Sequence, residues 1–143
     1  MLKFLKANKV FTALILIVVL LAAMYGFDYF RAKSFDIEVL SISPEEPVAD
    51  GETPVTITVQ LTRFGKPVKG HYLFMISLNS GTMQKNREQT DENGCAVYVY
   101  YPYRASVLMP AATVTLRVYD ESNSIFVVVN ASLDFEIDLK EKK

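Results

Sequence analysis

Eighteen consecutive residues near the start of the chain, VFTALILIVVLLAAMYGF over residues 10–27, carry no charge, and only Thr12 is polar. Wound as an α-helix at 1.5 Å per residue they reach ~27 Å, close to the ~30 Å hydrocarbon core of a bilayer. A helix buried in a soluble core keeps a polar face at helical spacing, and this stretch keeps none. Tyr25, Tyr29 and Phe30 fall where an interfacial aromatic belt belongs. One transmembrane helix is expected over residues 10–30. A cleaved signal peptide is the competing reading. Its apolar region runs ~7–15 residues and ends in a small-x-small site, which is poor here because Leu21 stands two before Ala23. The single cysteine, Cys95, lies far beyond the helix, so no lipid-accepting cysteine follows it. An uncleaved anchor is the expectation.

Lys3, Lys6 and Lys9 precede the helix without an acidic residue among them, whereas Arg31 and Lys33 beyond it are mixed with Asp28, Asp36 and Glu38. That bias predicts a short basic cytoplasmic segment over residues 1–9 and a C-terminal part outside the cytoplasm, periplasmic or extracellular. The expected location is the cell membrane, crossed once. From residue 34 to 143 there are 10 Lys+Arg against 15 Asp+Glu, a net of about −5 hidden inside the −1 of the whole chain. A domain of that sign gains nothing by releasing phosphate counterions, so nucleic acid is not an expected partner. It is also expected to keep a distance from anionic headgroups. One cysteine forbids an intrachain disulfide, and ~105 residues are enough for a stable core without one. Cys95 reads as a partly buried free thiol; self-association of the chain stays open.

Past residue 34 no long amphipathic helix is visible. Short β-rich runs alternate with turn residues every ten or so positions, the pattern of a sandwich or barrel. Strands are expected near 36–43, 54–63, 71–78, 83–90, 95–101, 113–120 and 125–138. Asp50-Gly51, Phe64-Gly65-Lys66-Pro67, Asn79-Ser80-Gly81, Asp91-Glu92-Asn93-Gly94 and Glu121-Ser122-Asn123-Ser124 supply the turns. The expected organisation is an all-β domain of about seven strands over 36–139, a linker over 31–35 and a charged tail over 140–143.

Two segments resemble bacterial Ig-like domains of the invasin/intimin type. VADGETPVTITVQLTRFGKPVKG matches their Ala-Asp-Gly, alternating strand and Gly-x-Pro-Val-x-Gly, and TDENGCAVYVY matches their Thr-Asp-x-x-Gly-x-Ala turn and strand. Transthyretin-like and macroglobulin-type sandwiches share these turns, for which glycine supplies positive φ and proline a fixed φ. The resemblance covers residues 48–101 and implies an Ig-like antiparallel β-sandwich. It also implies cell-surface adhesion or glycan recognition as one function. After Tyr101 the sequence PYRASVLMPAA departs from the pattern, and no tandem array of domains is present.

Catalytic groups are scarce. His71 is the only histidine and reads as a structural residue. Zinc wants about four His/Cys-type ligands, and His71 and Cys95 are the only two candidates. The 91–94 turn lacks the spaced oxygens of a calcium loop, although an ion shared with Asp50 or Glu52 is a weak alternative. Asn130-Ala131-Ser132 fits a glycosylation acceptor but is short and common. No phosphate loop or nucleophile elbow is present. No enzyme, cofactor or metal is expected.

The strand faces are more telling. Residues 54–63 and 113–120 alternate apolar and polar, as strands with one wet face do. In 71–78, Leu73 and Met75 oppose Tyr72, Phe74 and Ile76; in 95–101, Ala96, Tyr98 and Tyr100 oppose Val97, Val99 and Tyr101. Residues 125–129 are apolar on both sides. The loop Ser106-Val107-Leu108-Met109-Pro110 is apolar where connections are normally polar. Either local cover hides these side chains, or some of them bind a partner. The candidate partner-binding residues are Tyr72, Phe74, Ile76, Val97, Val99, Tyr101, Val107, Leu108 and Met109, with the 106–110 loop entering a partner groove or the outer leaflet. The leading expectation is a structural or interaction subunit that contacts other membrane or extracytoplasmic proteins, and adhesion or glycan recognition is the alternative.

Overall fold

A computed structural model describes residues 9–142. Of the basic segment, residues 1–8 lie outside the described residues. Helix α1, Lys9–Ala32, covers 24 residues with Arg31 in its last turn, where a cation meets the negative helix end. Among the described residues it is the one helix long and apolar enough to cross a membrane, by length and composition. Nearly all of it is exposed; only Asp28 and Ala32 are buried, both close to its end. Lys33 and Ser34 are all that separates it from the first strand.

Nine strands follow: β1 Phe35–Ser43, β2 Val55–Arg63, β3 Lys66–Pro67, β4 Tyr72–Ser77, β5 Thr82–Met83, β6 Arg87–Gln89, β7 Cys95–Tyr101, β8 Thr113–Asp120 and β9 Ser132–Asp138. They form two antiparallel sheets, β1-β2-β7-β5 with the short β3 on β2, and β6-β4-β8-β9. The alternation read in the sequence turns inward as expected: Val55, Ile57, Val59 and Leu61 of β2 and Val114, Leu116 and Val118 of β8 are fully buried. Leu73 and Met75 face them from β4, and Tyr98 and Tyr100 from β7. The Tyr98 hydroxyl donates to Leu73 O at 2.8 Å and so ties one sheet to the other. Burial pushes the Tyr98 phenol well above its ordinary range and that of Tyr100 up to about 12.

Two expected strands differ. The single strand expected over 83–90 is divided: Met83 pairs with β7 and Arg87 with β4, so the chain crosses between sheets there. Asn86 makes the crossing, its backbone O accepting Met75 N–H at 2.7 Å and its side-chain Nδ2 donating to Met75 O at 2.9 Å. The strand expected over 125–138 is shorter, β9 beginning only at Ser132. The segment before it is a loop laid against α1.

The register assigns each connection to an end. Phe35 pairs with Arg63, and Val55 with Tyr100. The β2–β3 turn, the 91–94 turn and the β8–β9 loop therefore lie beside the helix. The 44–54 and 102–112 connections lie at the far end.

Candidate interaction surfaces

The nine expected partner-binding residues fall in three places. Tyr72, Phe74 and Ile76 are on the outer face of the β6-β4-β8-β9 sheet, and Val97, Val99 and Tyr101 on the outer face of the other. These are opposite sides of the sandwich, so the two sets form no common patch. Part of the first set is already engaged: the Arg87 guanidinium lies 3.8 Å from the Tyr72 ring centroid, and Phe74 packs on Tyr119 at 5.4 Å. Val107, Leu108 and Met109 form the third place, at the far end.

There the turn is tightly built. Ser106 N–H donates to Met109 O at 2.9 Å, Met109 N–H returns to Ser106 O at 3.1 Å, and Tyr103 O–H donates to Pro110 O at 2.7 Å. Val107 and Leu108 crown it with 99% and 98% of their surface exposed. The loop stands at the end of the sandwich opposite the helix. β7 alone, seven residues long, puts roughly 23 Å between the helix side and this tip.

The helix end is held by residues that no local pattern singles out. Asp28, wholly buried, accepts backbone N–H groups from Ile125 at 2.9 Å, Phe126 at 2.6 Å and Val127 at 2.5 Å. Phe27 meets Phe126 edge-on at 5.6 Å. Arg31 Nε donates to Asn123 O at 2.7 Å, and Ser34 receives a bond from Arg63 Nε at 3.1 Å. Buried Asn123 shapes the loop from within, its Nδ2 donating to Val129 O at 2.8 Å and its Oδ1 accepting Ala131 N–H at 3.1 Å. The sequence offered two hints: an acid directly after the apolar stretch, and a run at 125–129 apolar on both sides.

The motif residues are spent on the fold. Thr90 Oγ1 accepts His71 N–H at 3.0 Å, and Asp91 Oδ1 accepts Asn93 N–H at 2.8 Å and Cys95 N–H at 2.9 Å. Gly94, at φ 73°, lies so close to β2 that a Cβ would sit 2.5 Å from Leu61 O. His71 Nδ1 pairs with buried Asp120 at 2.7 Å beside Phe35. Asp50 accepts Glu52 N–H, Thr53 N–H and Thr53 O–H at 2.7–2.9 Å, which holds its carboxyl well below the usual carboxylate range. An ion shared between the 91–94 turn and Asp50 is ruled out by geometry, because they occupy opposite ends. Among the described residues no group of three or more His, Cys, Asp or Glu is placed to hold a metal. Asn130 Oδ1, of the glycosylation tripeptide, lies 3.1 Å from Ser124 Oγ in the loop against the helix.

Together these elements define an Ig-like β-sandwich carried on an N-terminal apolar helix. No protein-family model and no curated protein matches the sequence. Among solved structures, the chain is similar to the D00-D0 domain fragment of intimin, with TM-score 0.53 and 12% identity over 73% of this chain and 48% of that one. The D0-D1 fragment of intimin gives TM-score 0.50 and 20% identity over 76% and 50%. A conjugative transposon lipoprotein from Bacteroides eggerthii aligns over 72% of this chain and 95% of its own, at TM-score 0.44 and 19% identity. The chain spans about half the length of the intimin fragments it matches. At such identities the intimin likeness is one of fold, and the fold is the one the turn motifs implied.

Proposed function

We propose that the chain is a single-pass membrane protein, N-terminus cytoplasmic, whose Ig-like domain binds other proteins outside the cytoplasm as a subunit of a membrane-associated assembly. The observation that carries this reading is the far-end tip. A turn closed by reciprocal backbone bonds presents Val107 and Leu108 almost wholly to solvent, an arrangement of apolar surface that a soluble tip has no use for. The apolar helix, fixed at the opposite end, supports an anchor that turns the tip away from the bilayer. Function here is binding without turnover, and confinement to a membrane lets weak contacts suffice. The alternative, an adhesion or glycan-recognition module, has less support: Tyr101 and Tyr103 are half-buried and the Tyr103 hydroxyl is already used.

Gentle detergent extraction of the full chain, with identification of stably associated proteins, tests the reading. We expect association that is lost in the Val107→Ser, Leu108→Ser, Met109→Ser triple variant while the domain stays folded. A monodisperse monomer recovered from the unaltered chain overturns it.

A further inference from the structure

The helix end of the sandwich carries a second set of exposed apolar side chains, and its construction differs from that of the far tip. We propose that this end is seated in lipid: Phe64 and the loop residues Ile125, Phe126 and Val128 insert at the headgroup–acyl boundary of the leaflet from which α1 emerges. The inference rests on the reading of α1 as a membrane span and goes beyond it, since an anchor alone leaves the domain free to stand off.

The level is the first argument. The uncharged stretch ends at Phe27, and the β8–β9 loop is bound at Phe27 and Asp28, not at the helix terminus. Ala32 lies about 6 Å further along the axis than Asp28 at ~1.5 Å per residue. The loop therefore hangs beside the last turn of the helix. With residues 10–27 filling the hydrocarbon, Phe126 stands at its boundary.

The backbone is the second argument. Peptide groups near hydrocarbon need partners inside the protein. The N–H groups of Ile125, Phe126 and Val127 all go to Asp28, and Val129 N–H goes to Ser124 Oγ at 3.0 Å. Val129 O accepts from both Asn123 Nδ2 and Ser124 Oγ at 2.8 Å. Four of the loop's N–H groups and the Val129 carbonyl thus find partners inside the protein, while the Val128 side chain is left 83% exposed.

Phe64 is the third. It sits at φ 50°, the left-handed region that a bulky residue rarely adopts, and is 78% exposed at the tip of the β2–β3 hairpin. Its N–H reaches Ser34 O at 3.3 Å, which places it beside the helix exit. Phe64 and Gly65, at φ 50° and 75°, both take the positive φ that the two-residue β2–β3 turn requires; that turn favours asparagine or aspartate at the first position and offers no reward for an aromatic ring displayed to water. Display to lipid supplies one. Cations stand at this end as well: Arg63 lies 5.5 Å from the Phe64 ring and Lys33 lies 4.6 Å from that of Tyr29, side chains of the kind found at headgroup level, alongside the acidic Asp36, Asp91, Glu92 and Glu121. The acidic surplus includes Glu45, Glu46, Asp50 and Glu52 at the far end, so the net charge of the domain does not describe the face next to the helix.

The chain contains no tryptophan, so single tryptophans report depth in the full chain reconstituted into phosphatidylcholine vesicles with brominated acyl chains. Val128→Trp is expected to be quenched most by bromines near the headgroup end, as for insertion of ~5–10 Å. Val18→Trp is expected to be quenched most by bromines at the chain ends, and Leu108→Trp not at all. Phe64→Trp gives an independent reading of the same face. If Val18→Trp is quenched and both Val128→Trp and Phe64→Trp are not, the lipid seat is overturned and the span stands. If Val18→Trp is unquenched, the span reading falls and takes the inference with it. A blue-shifted but unquenched Val128→Trp means that protein covers the loop, which also overturns it.

Discussion

Each end of the sandwich is organised by an aspartate that gathers backbone N–H groups, yet the two work at different ranges. Asp50, at the far end, accepts from residues two and three positions ahead. Asp28, at the helix end, accepts from residues 97 to 99 positions ahead. The first shapes a turn, its carboxylate's only reach along the chain among the described residues being an ion pair with Lys142 at 3.5 Å. The second fastens two separately encoded pieces, an apolar helix and a β-domain loop, into one body. The same side-chain chemistry therefore makes a local corner in one place and a joint in the other. The contrast also divides the exposed apolar residues: those at the far end stand on a self-contained turn, and those at the helix end on a loop that depends on the helix.

Two glycines of equal φ separate the ends most strongly. Gly51 and Gly94 both sit at φ 73°, but a Cβ at Gly94 meets Leu61 O at 2.5 Å and Val68 N at 3.0 Å, whereas at Gly51 it meets Arg104 Cβ at 3.2 Å. Gly94→Ala is expected to cost about 2 kcal/mol or more in denaturant unfolding, because backbone cannot yield. Gly51→Ala is expected to cost about 1 kcal/mol, mainly the conformational penalty. Equal losses would remove the distinction between a backbone-packed helix end and a side-chain-packed far end.

Next come the aspartates themselves. Asp28→Ala leaves three N–H groups without their acceptor, and amide exchange at Ile125, Phe126 and Val127 is expected to rise about 100-fold. Exchange at Met109 should not change. Asp50→Ala should accelerate only Glu52 and Thr53. Acid gives a smaller test. The folded Asp50 carboxyl is held below its unfolded value of about 3.9, chiefly by the backbone bonds from Thr53 and Glu52. Its contribution is complete above that pH and drains away as the pH falls toward the folded value. Asp50→Asn is therefore expected to flatten the decline of melting temperature below about pH 4; an unchanged profile would show that other carboxylates dominate. The smallest stability effect belongs to the tip: the Val107, Leu108, Met109 serine triple variant should unfold within about 0.5 kcal/mol of the parent. A larger loss would mean that the tip is part of the core after all.

How much of this was legible follows the same range rule. β2 and β8 could be read because one buried face writes alternation directly into consecutive residues. The turns at 50–51, 64–67 and 91–94 could be read because glycine, proline and aspartate act on their own neighbourhood. The 106–110 tip could be noticed because an apolar connection violates a local rule. The joint could not be read, since nothing near Asp28 announces that its partners lie beyond residue 120. The same blindness merged β5 with β6: no glycine or proline marks Gln84-Lys85-Asn86, and the crossing is decided by Asn86 reaching Met75 in another strand. It also turned residues 125–129 into a strand, because an apolar run looks the same whether it faces a core or a helix.

The two-residue connection between α1 and β1 has a mechanical consequence. With Lys33 and Ser34 as the whole link and Asp28 and Arg31 fastened across it, the domain has no swivel. It must lean as the helix leans. Transmembrane helices tilt by ~20° on average, and a lean of that size carries a tip ~23 Å away sideways by about 8 Å. The helix, ~36 Å long at 1.5 Å per residue, and the domain then move as the two arms of one lever, with Leu108 at the end of the outer arm. If α1 spans a bilayer as proposed, anything that rights or tips it there, neighbouring helices or a change in thickness, is reported at the far end as a lateral displacement.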